Sequence, residues 1–227
     1  GAAPIVNANY GWPGGGAAGP IEPDAPPTTE PEPPARPAVA PSGYVRPAVA
    51  AYRFAAVDDR YSGEDIRGAP TSRLARAVAE VAAVEAPLHI DDLTVRVASM
   101  WGTSRGSRIL AKIMEGIGAA ERSNLVRRRG DFVWLPAGPF KVRSRADTRI
   151  PAERIAPEEY REAVLMVLRA AGAMLRGDLA AEVRAVFGFN RLGWVLEEAI
   201  GGAIDALLAA GVIGEGASGL TLRGRER

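Results

Sequence analysis

The stretch WGTSRGSRILAK, residues 101 to 112, gathers a Gly-bounded turn, a threonine and two serines beside two arginines, and an apolar-periodic run that opens on Ile109. Three kinds of site use such material: a loop that cradles phosphate, a helix that reads DNA, and the polar face of a core helix. A phosphate loop needs Gly-x-x-x-x-Gly-Lys-Ser/Thr after a strand, so that backbone N–H groups and the lysine reach the phosphates. Here Gly102 and Gly106 follow a helical pattern and the Lys-Ser/Thr pair is missing, which argues against nucleotide binding. Placed on a helix at about 100° per residue, Ile109, Leu110, Ile113, Met114 and Ile117 fall on one side, while Arg105, Arg108, Lys112 and Glu115 fall on the other. In a helix-turn-helix that outward face enters the major groove with its N-terminal residues nearest the bases, and arginine is the usual partner of guanine. The alternative is a solvated charged face.

Other chemistries find little to work with. The chain has no cysteine, which excludes a disulfide framework, a thiolate nucleophile and every Cys-containing zinc site. His89 is the only imidazole and reads as structural, since neither a triad nor a zinc site can be built around it alone. Asp91-Asp92 reads as a helix N-cap rather than a metal pair, and the Arg-Gly-Asp at 129 to 131 as a hairpin turn. No acid/base pair or metal cluster stands out, so the expectation is a non-enzymatic module without a cofactor.

With 227 residues, 47% of them hydrophobic, the chain can fill one or two cores, and its net charge of +1 leaves any basic surface to local segregation. No apolar run approaches the roughly 18 residues of a membrane span, and no basic-then-apolar leader opens the chain. A soluble cytoplasmic protein without a membrane partner is expected. The first residue is Gly1 rather than Met, which suggests a piece cut from a longer protein.

The organisation follows from composition and self-similarity. Residues 1–43 are expected to be a flexible linker, dense in Pro, Gly and acidic residues from 12 onward. Residues 44–71 form an extended lead-in anchored by Tyr44, Val45, Tyr52 and Phe54. Beyond it, sliding the sequence on itself at an offset of about 86 aligns Ala77, Val78 and Val81 with Ala163, Val164 and Val167, Asp92-Leu93 with Asp178-Leu179, Val97 with Val183, Trp101-Gly102 with Phe187-Gly188, Arg105 with Arg191, and Leu110 with Leu196. Each copy then reads as a first helix (Ser72 to Val84; Pro157 to Ala171), a short stretch (APLHI; AMLR), a second helix ending at Trp101-Gly102 or Phe187-Gly188, a turn, a third helix, and a β-hairpin (125–135; 212–222). That order predicts a mainly α fold with small β-hairpins (α+β), arranged as tandem winged helix-turn-helix domains. Residues 72–149 hold the first domain and a basic connecting loop, 150–222 the second, and 223–227 a tail.

The chain from about Tyr44 to Leu222 also resembles a domain of unknown function at the C-terminal end of very large bacterial superfamily-one helicase-like proteins, which often carry a nuclease-like domain of the very-short-patch-repair type. The matching pieces are VEAPLHIDDL, WGTSRGSRI and GDFVWL in the first copy, then ERIAPEEYREAV, GFNRLGWVL and AIDALLAAGVI in the second. Family members usually carry glycine where this chain has Ala86. The resemblance implies an accessory domain of an ATP-driven nucleic-acid enzyme, with the remainder of that parent as partner and no catalytic residues to carry over.

The two copies differ in charge. Residues 73–149 hold fourteen Arg plus Lys against eight Asp plus Glu, whereas residues 150–222 hold six against ten. The first hairpin adds Arg127, Arg128 and Arg129, and the following loop Lys141, Arg143, Arg145 and Arg149. Such a wing could lie along a phosphate backbone. Phe132 and Trp134, alternating with Val133, read as hairpin core before base-stacking residues. At the constant offset, Arg108 and Lys112 correspond to Trp194 and Glu198, with Glu197 alongside, a face that would repel phosphate. An outward Trp194 suggests cover by the sister domain, the lead-in or another protein. The candidate nucleic-acid residues are therefore Arg105, Ser107, Arg108, Lys112, Arg127, Arg128 and Arg129, and the candidate docking residues Trp194 and Glu198. The expected partner is DNA, duplex before single-stranded, with RNA open and a homo-oligomer possible. A structural or protein-docking module is the competing expectation.

Overall fold

The structure, a computed structural model, describes residues 43–56, 61–191 and 193–223; the expected linker, up to residue 42, and the end of the tail, from residue 224, lie outside them. All described residues belong to one compact unit, Pro37–Arg227. The fold is helical with small sheets, and none of the helices is long and apolar enough to cross a membrane, among the described residues.

After a short strand, β1 (Ala50–Ala51), the first copy runs α1 (Thr71–Glu85), β2 (Leu88–His89), α2 (Ile90–Met100), α3 (Ser107–Arg122), β3 (Arg127–Arg129) and β4 (Phe132–Trp134). A connecting segment carries β5 (Arg143–Ser144). The second copy repeats the order as α4 (Pro157–Ala171), β6 (Ala173–Met174), α5 (Arg176–Val186), α6 (Trp194–Ala209), β7 (Ile213–Gly216) and β8 (Gly219–Leu222). Each copy closes with a three-stranded antiparallel sheet in which the strand between the first two helices pairs with the last strand of the hairpin: order β2-β4-β3 and order β6-β8-β7.

Local chemistry explains the helix ends. Pro157 sits in the first turn of α4, where no N–H is needed, and α4 stops at Gly172 with φ 76°, a left-handed value that glycine adopts without cost. The first copy reaches its small strand differently. Ala86 has φ −66°, so this position does not call for glycine. The N-cap of α2 is His89 rather than Asp91: its Nδ1 accepts from the Asp91 N–H at 3.1 Å. The two aspartates occupy the first turn instead, where the helix dipole favours negative charge.

The repeat is longer than the sequence alignment showed, and its offset changes. Short 3-10 turns precede both first helices, at Ile66–Gly68 and Ala152–Arg154, in register at 86. From the third helix onward the register is 87: buried Ile113, Gly116, Ile117 and Ala120 of α3 match Ile200, Ala203, Ile204 and Leu207 of α6. The turn between second and third helices is one residue longer in the second copy, residues 189 to 193 against 103 to 106. Trp194 is therefore the counterpart of Ser107, not of Arg108, and Arg108 and Lys112 correspond to Val195 and Ala199.

Two apolar cores form, one centred on Leu74, Leu93 and Ile113, the other on Tyr160, Leu179, Phe187 and Ile200. Three buried carboxylates tie the lead-in and the connecting segment to them. Glu85 accepts from the Tyr52 hydroxyl at 2.8 Å and the Ala55 N–H at 2.9 Å, with Arg96 at 3.3 Å. Burial, reinforced by the Glu85 charge, holds the Tyr52 hydroxyl protonated well above the ordinary phenol range. Glu159 accepts both terminal nitrogens of Arg145, at 2.7 and 2.8 Å. Glu182 accepts from Arg46 twice, at 2.8 and 3.0 Å, and from the Tyr44 hydroxyl at 3.0 Å. The lead-in thus touches both copies, and β1 pairs in parallel with β5. Arg143 and Arg145, expected as part of a basic loop open to phosphate, are instead committed inward. Arg143 donates to the backbone carbonyls of Glu85 and Pro87 at 3.0 and 3.1 Å, and Arg145 is 3% exposed.

Removing one partner of a buried ion pair leaves the other charge uncompensated. Glu159→Gln is expected to cost about 3–5 kcal/mol in urea unfolding, and a cost below about 1 kcal/mol would show that the Arg145 pair does not hold the joint. A second expectation concerns acid. The Arg46 guanidinium holds the Glu182 carboxyl below its ordinary range. A depressed folded-state value contributes stability above the unfolded value of about 4.3 and loses it as pH falls through the folded one. Glu182→Gln should therefore flatten the acid limb of the stability profile, measured by melting temperature between neutral and acid pH. An unchanged limb would contradict the link.

Candidate nucleic-acid interface

The candidate face is set by how α3 rolls against α1. The two helices touch at Gly116, where an added Cβ would lie 2.6 Å from the Leu74 Cβ, so the close crossing depends on a residue without one. With Ile113, Gly116, Ile117 and Ala120 inward, Arg108, Ala111 and Glu115 point out. Ser107 is exposed at the first position of α3, behind the N-cap Gly106, which makes no side-chain capping bond.

The cations on this face are not equally available. Arg105 is drawn back onto the first turn of α2 by Asp91 at 2.7 Å. Lys112 lies on the flank of α3, 21% exposed, and is held by Glu115 at 3.1 Å. Arg108 is exposed and has no ionic partner among the described residues. A groove of about 570 Å³ beside it is lined by Arg67, Thr103, Ser107 and Ile109, and by the carboxylates of Glu64 and Asp65. Asp65 is engaged with Arg67 and Glu64 with Arg73.

The hairpin sorts its three arginines by register. Arg127 stands opposite Trp134 and Arg129 opposite Phe132, while Arg128 stands opposite Val133. Side chains of directly paired residues share a face, so Arg127, Arg129, Phe132 and Trp134 lie on one face and Arg128 on the other. His89, paired with Phe132, joins the first group. Arg128 folds back along the chain, its Nε donating to the Gly130 carbonyl at 3.1 Å and its N–H to Glu121 at 3.0 Å. Arg129 lies 5.2 Å from the centre of the Trp134 ring. Val133 enters the apolar core around Leu74 and Ile113, and Trp134 is buried as expected, on the opposite face of the strand against Phe140, whereas Phe132 is only half-buried and corrects the expectation for that residue. The alternation at 132 to 134 already contains this signal, since only one of two alternating positions can face inward. Lys141 and Arg149 are exposed at the edge of this region.

In the second copy the corresponding surface is acidic or plain. Glu197 and Glu198 are exposed, Asp205 pairs with Arg176, and Gly214, Glu215 and Gly216 replace the three arginines. Trp194, expected to be covered by the sister copy or the lead-in, is 76% exposed instead. It stands at the first position of α6, and like its counterpart Ser107 it is open to solvent. Among the described residues no group of three or more His, Asp or Glu side chains could hold a metal ion.

No curated protein and no solved structure matches the chain. A family model described as a protein of unknown function, DUF3320, matches residues 66–111. The matched stretch runs from the first 3-10 turn through α1 and α2 into α3, and so takes in Arg105, Ser107 and Arg108 but neither hairpin. Over that stretch, the chain is similar to a domain whose function is not defined.

Proposed function

We propose that this chain is a tandem winged-helix module, with domains at 72–149 and 150–222, and that its first domain binds nucleic acid without catalysing a reaction. One observation carries the reading. The two copies share core positions and strand register, yet only the first presents exposed arginines at both places where a winged helix meets a duplex, Arg108 on the third helix and Arg127 and Arg129 on the hairpin. The fold does not require them, since the second copy has Val195, Gly214 and Gly216 in their places. Arg105 and Lys112 serve as a reserve, each needing to exchange a carboxylate for a phosphate. The resemblance to helicase-associated domains supports a role as an accessory part of a larger cytoplasmic motor protein. A second reading, a docking module for protein, is favoured by Trp194, whose exposed ring adjoins Glu197 and Glu198. In one protein the two roles are compatible.

The test is binding of a labelled duplex at several salt concentrations. Three arginines neutralising about three phosphates should give a slope of log affinity against log salt of roughly −2.7. Arg108→Glu together with Arg127→Glu should abolish binding, while Arg191→Glu in the second copy should leave it within about twofold. Absence of binding at low salt, or equal effects from both copies, leaves the docking reading in its place.

A further inference from the structure

The sheet of the first copy has an outer face opposite the one that Val133 turns to the apolar core. His89, Phe132 and Trp134 project from it with Arg127 and Arg129. The rings are in contact in pairs, His89 with Phe132 at 5.3 Å and Trp134 with Phe140 at 5.2 Å, both edge to face. Phe132, His89 and Phe140 stay partly open, Arg127, Arg129 and Lys141 are exposed, and Trp134 forms the floor at 7% exposure.

The repeat tests whether the fold demands this. Inward positions are apolar in both copies: Leu88, Val126 and Val133 in the first, Met174, Ile213 and Leu220 in the second. Outward positions are not conserved in kind. Where the first copy has Arg127, Arg129, Phe132 and Trp134, the second has Gly214, Gly216, Gly219 and Thr221 and still forms the same three-stranded sheet. A sheet of this kind therefore forms without arginine at the positions of Arg127 and Arg129 and without an aromatic ring at that of Phe132.

We propose that this outer face is a stacking platform for the unpaired bases of single-stranded nucleic acid. Every base offers a π-face to an aromatic ring, and cations beside the ring meet the adjoining phosphates. Phe132, the most accessible ring on the strand, takes the base. Arg127, Arg129 and Lys141 take the backbone, and Arg129 occupies in the free protein the place over Trp134 that a second base takes on binding. Arg127 and Arg129 meet a duplex in one mode and a single strand in the other, with Arg108 answering only to the duplex and Phe132 only to the single strand. This rests on the nucleic-acid reading above and adds the class of ligand.

The test uses the full chain, fluorescence anisotropy, and two probes: an oligothymidylate of about twelve nucleotides and a duplex of similar length. Phe132→Ala and Phe132→Leu should weaken oligothymidylate binding by about fivefold or more. Both should leave duplex affinity within about twofold and the salt slope unchanged, because no charge is removed. Phe132→Leu keeps the apolar volume, so it decides the matter if the alanine variant melts early. Duplex binding without oligothymidylate binding, or equal loss on both probes, overturns the platform and leaves the proposed function standing. Oligothymidylate binding that survives both variants does the same, and so does Phe132-dependent capture of polyglutamate. Binding of neither probe overturns both.

Discussion

Arg145 holds the arrangement on which the rest depends. Its guanidinium is buried between the carboxylate of Glu159, the ring of Tyr52 at 4.6 Å and the ring of Phe187 at 5.9 Å, so one side chain joins the connecting segment, the lead-in and the second core. A buried charge is tolerated only when paired and hydrogen-bonded, and Arg145 meets that condition through both terminal nitrogens. Two residues earlier, Arg143 binds the carbonyls at the end of α1. The segment between the copies is consequently a joint with defined contacts on either side. Arg154 extends it, reaching Asp92 at 2.8 Å and Asp91 at 3.6 Å in the first copy. Asp91 also holds Arg105, so the joint and the candidate face share a carboxylate.

A repeat whose cores agree and whose surfaces differ separates what folding needs from what binding could use. Ile113 and Ile200, Val133 and Leu220, and Leu93 and Leu179 are equivalent and buried, because each unit must enclose the same apolar volume. Arg108 against Val195 and Phe132 against Gly219 are equivalent and unlike; neither Arg108 nor Phe132 belongs to the apolar core of its copy.

Much of this was legible in the sequence. The helical periods of α1 and α4 and the Gly-bounded ends of α2 and α5 gave their own boundaries, and the two hairpins were visible as short β-runs around glycine. What the sequence hid was of two kinds. A single inserted residue in the turn before α6 moves every later equivalence by one position, and on a helix that rotates the reading by about 100°; the counterparts of Arg108 and Lys112 are Val195 and Ala199, not Trp194 and Glu198, for that reason. Long-range ion pairs were the other. Nothing local distinguishes Arg145, buried against Glu159, from Arg149, exposed four residues later. Charge counted along the chain overstated the cations free to meet phosphate, since Arg105, Lys112, Arg143 and Arg145 each have a partner inside the protein.

The central claim is that nucleic acid meets the first copy at the N-terminal end of α3 and on its hairpin. Backbone amide chemical shifts followed during titration with a short duplex carrying a single-stranded tail test it directly. The account predicts shifts concentrated in residues 103–115 and 127–134, with the second copy's α6 and hairpin unmoved. Shifts centred on Trp194 and Glu198, or spread evenly over both copies, would contradict it.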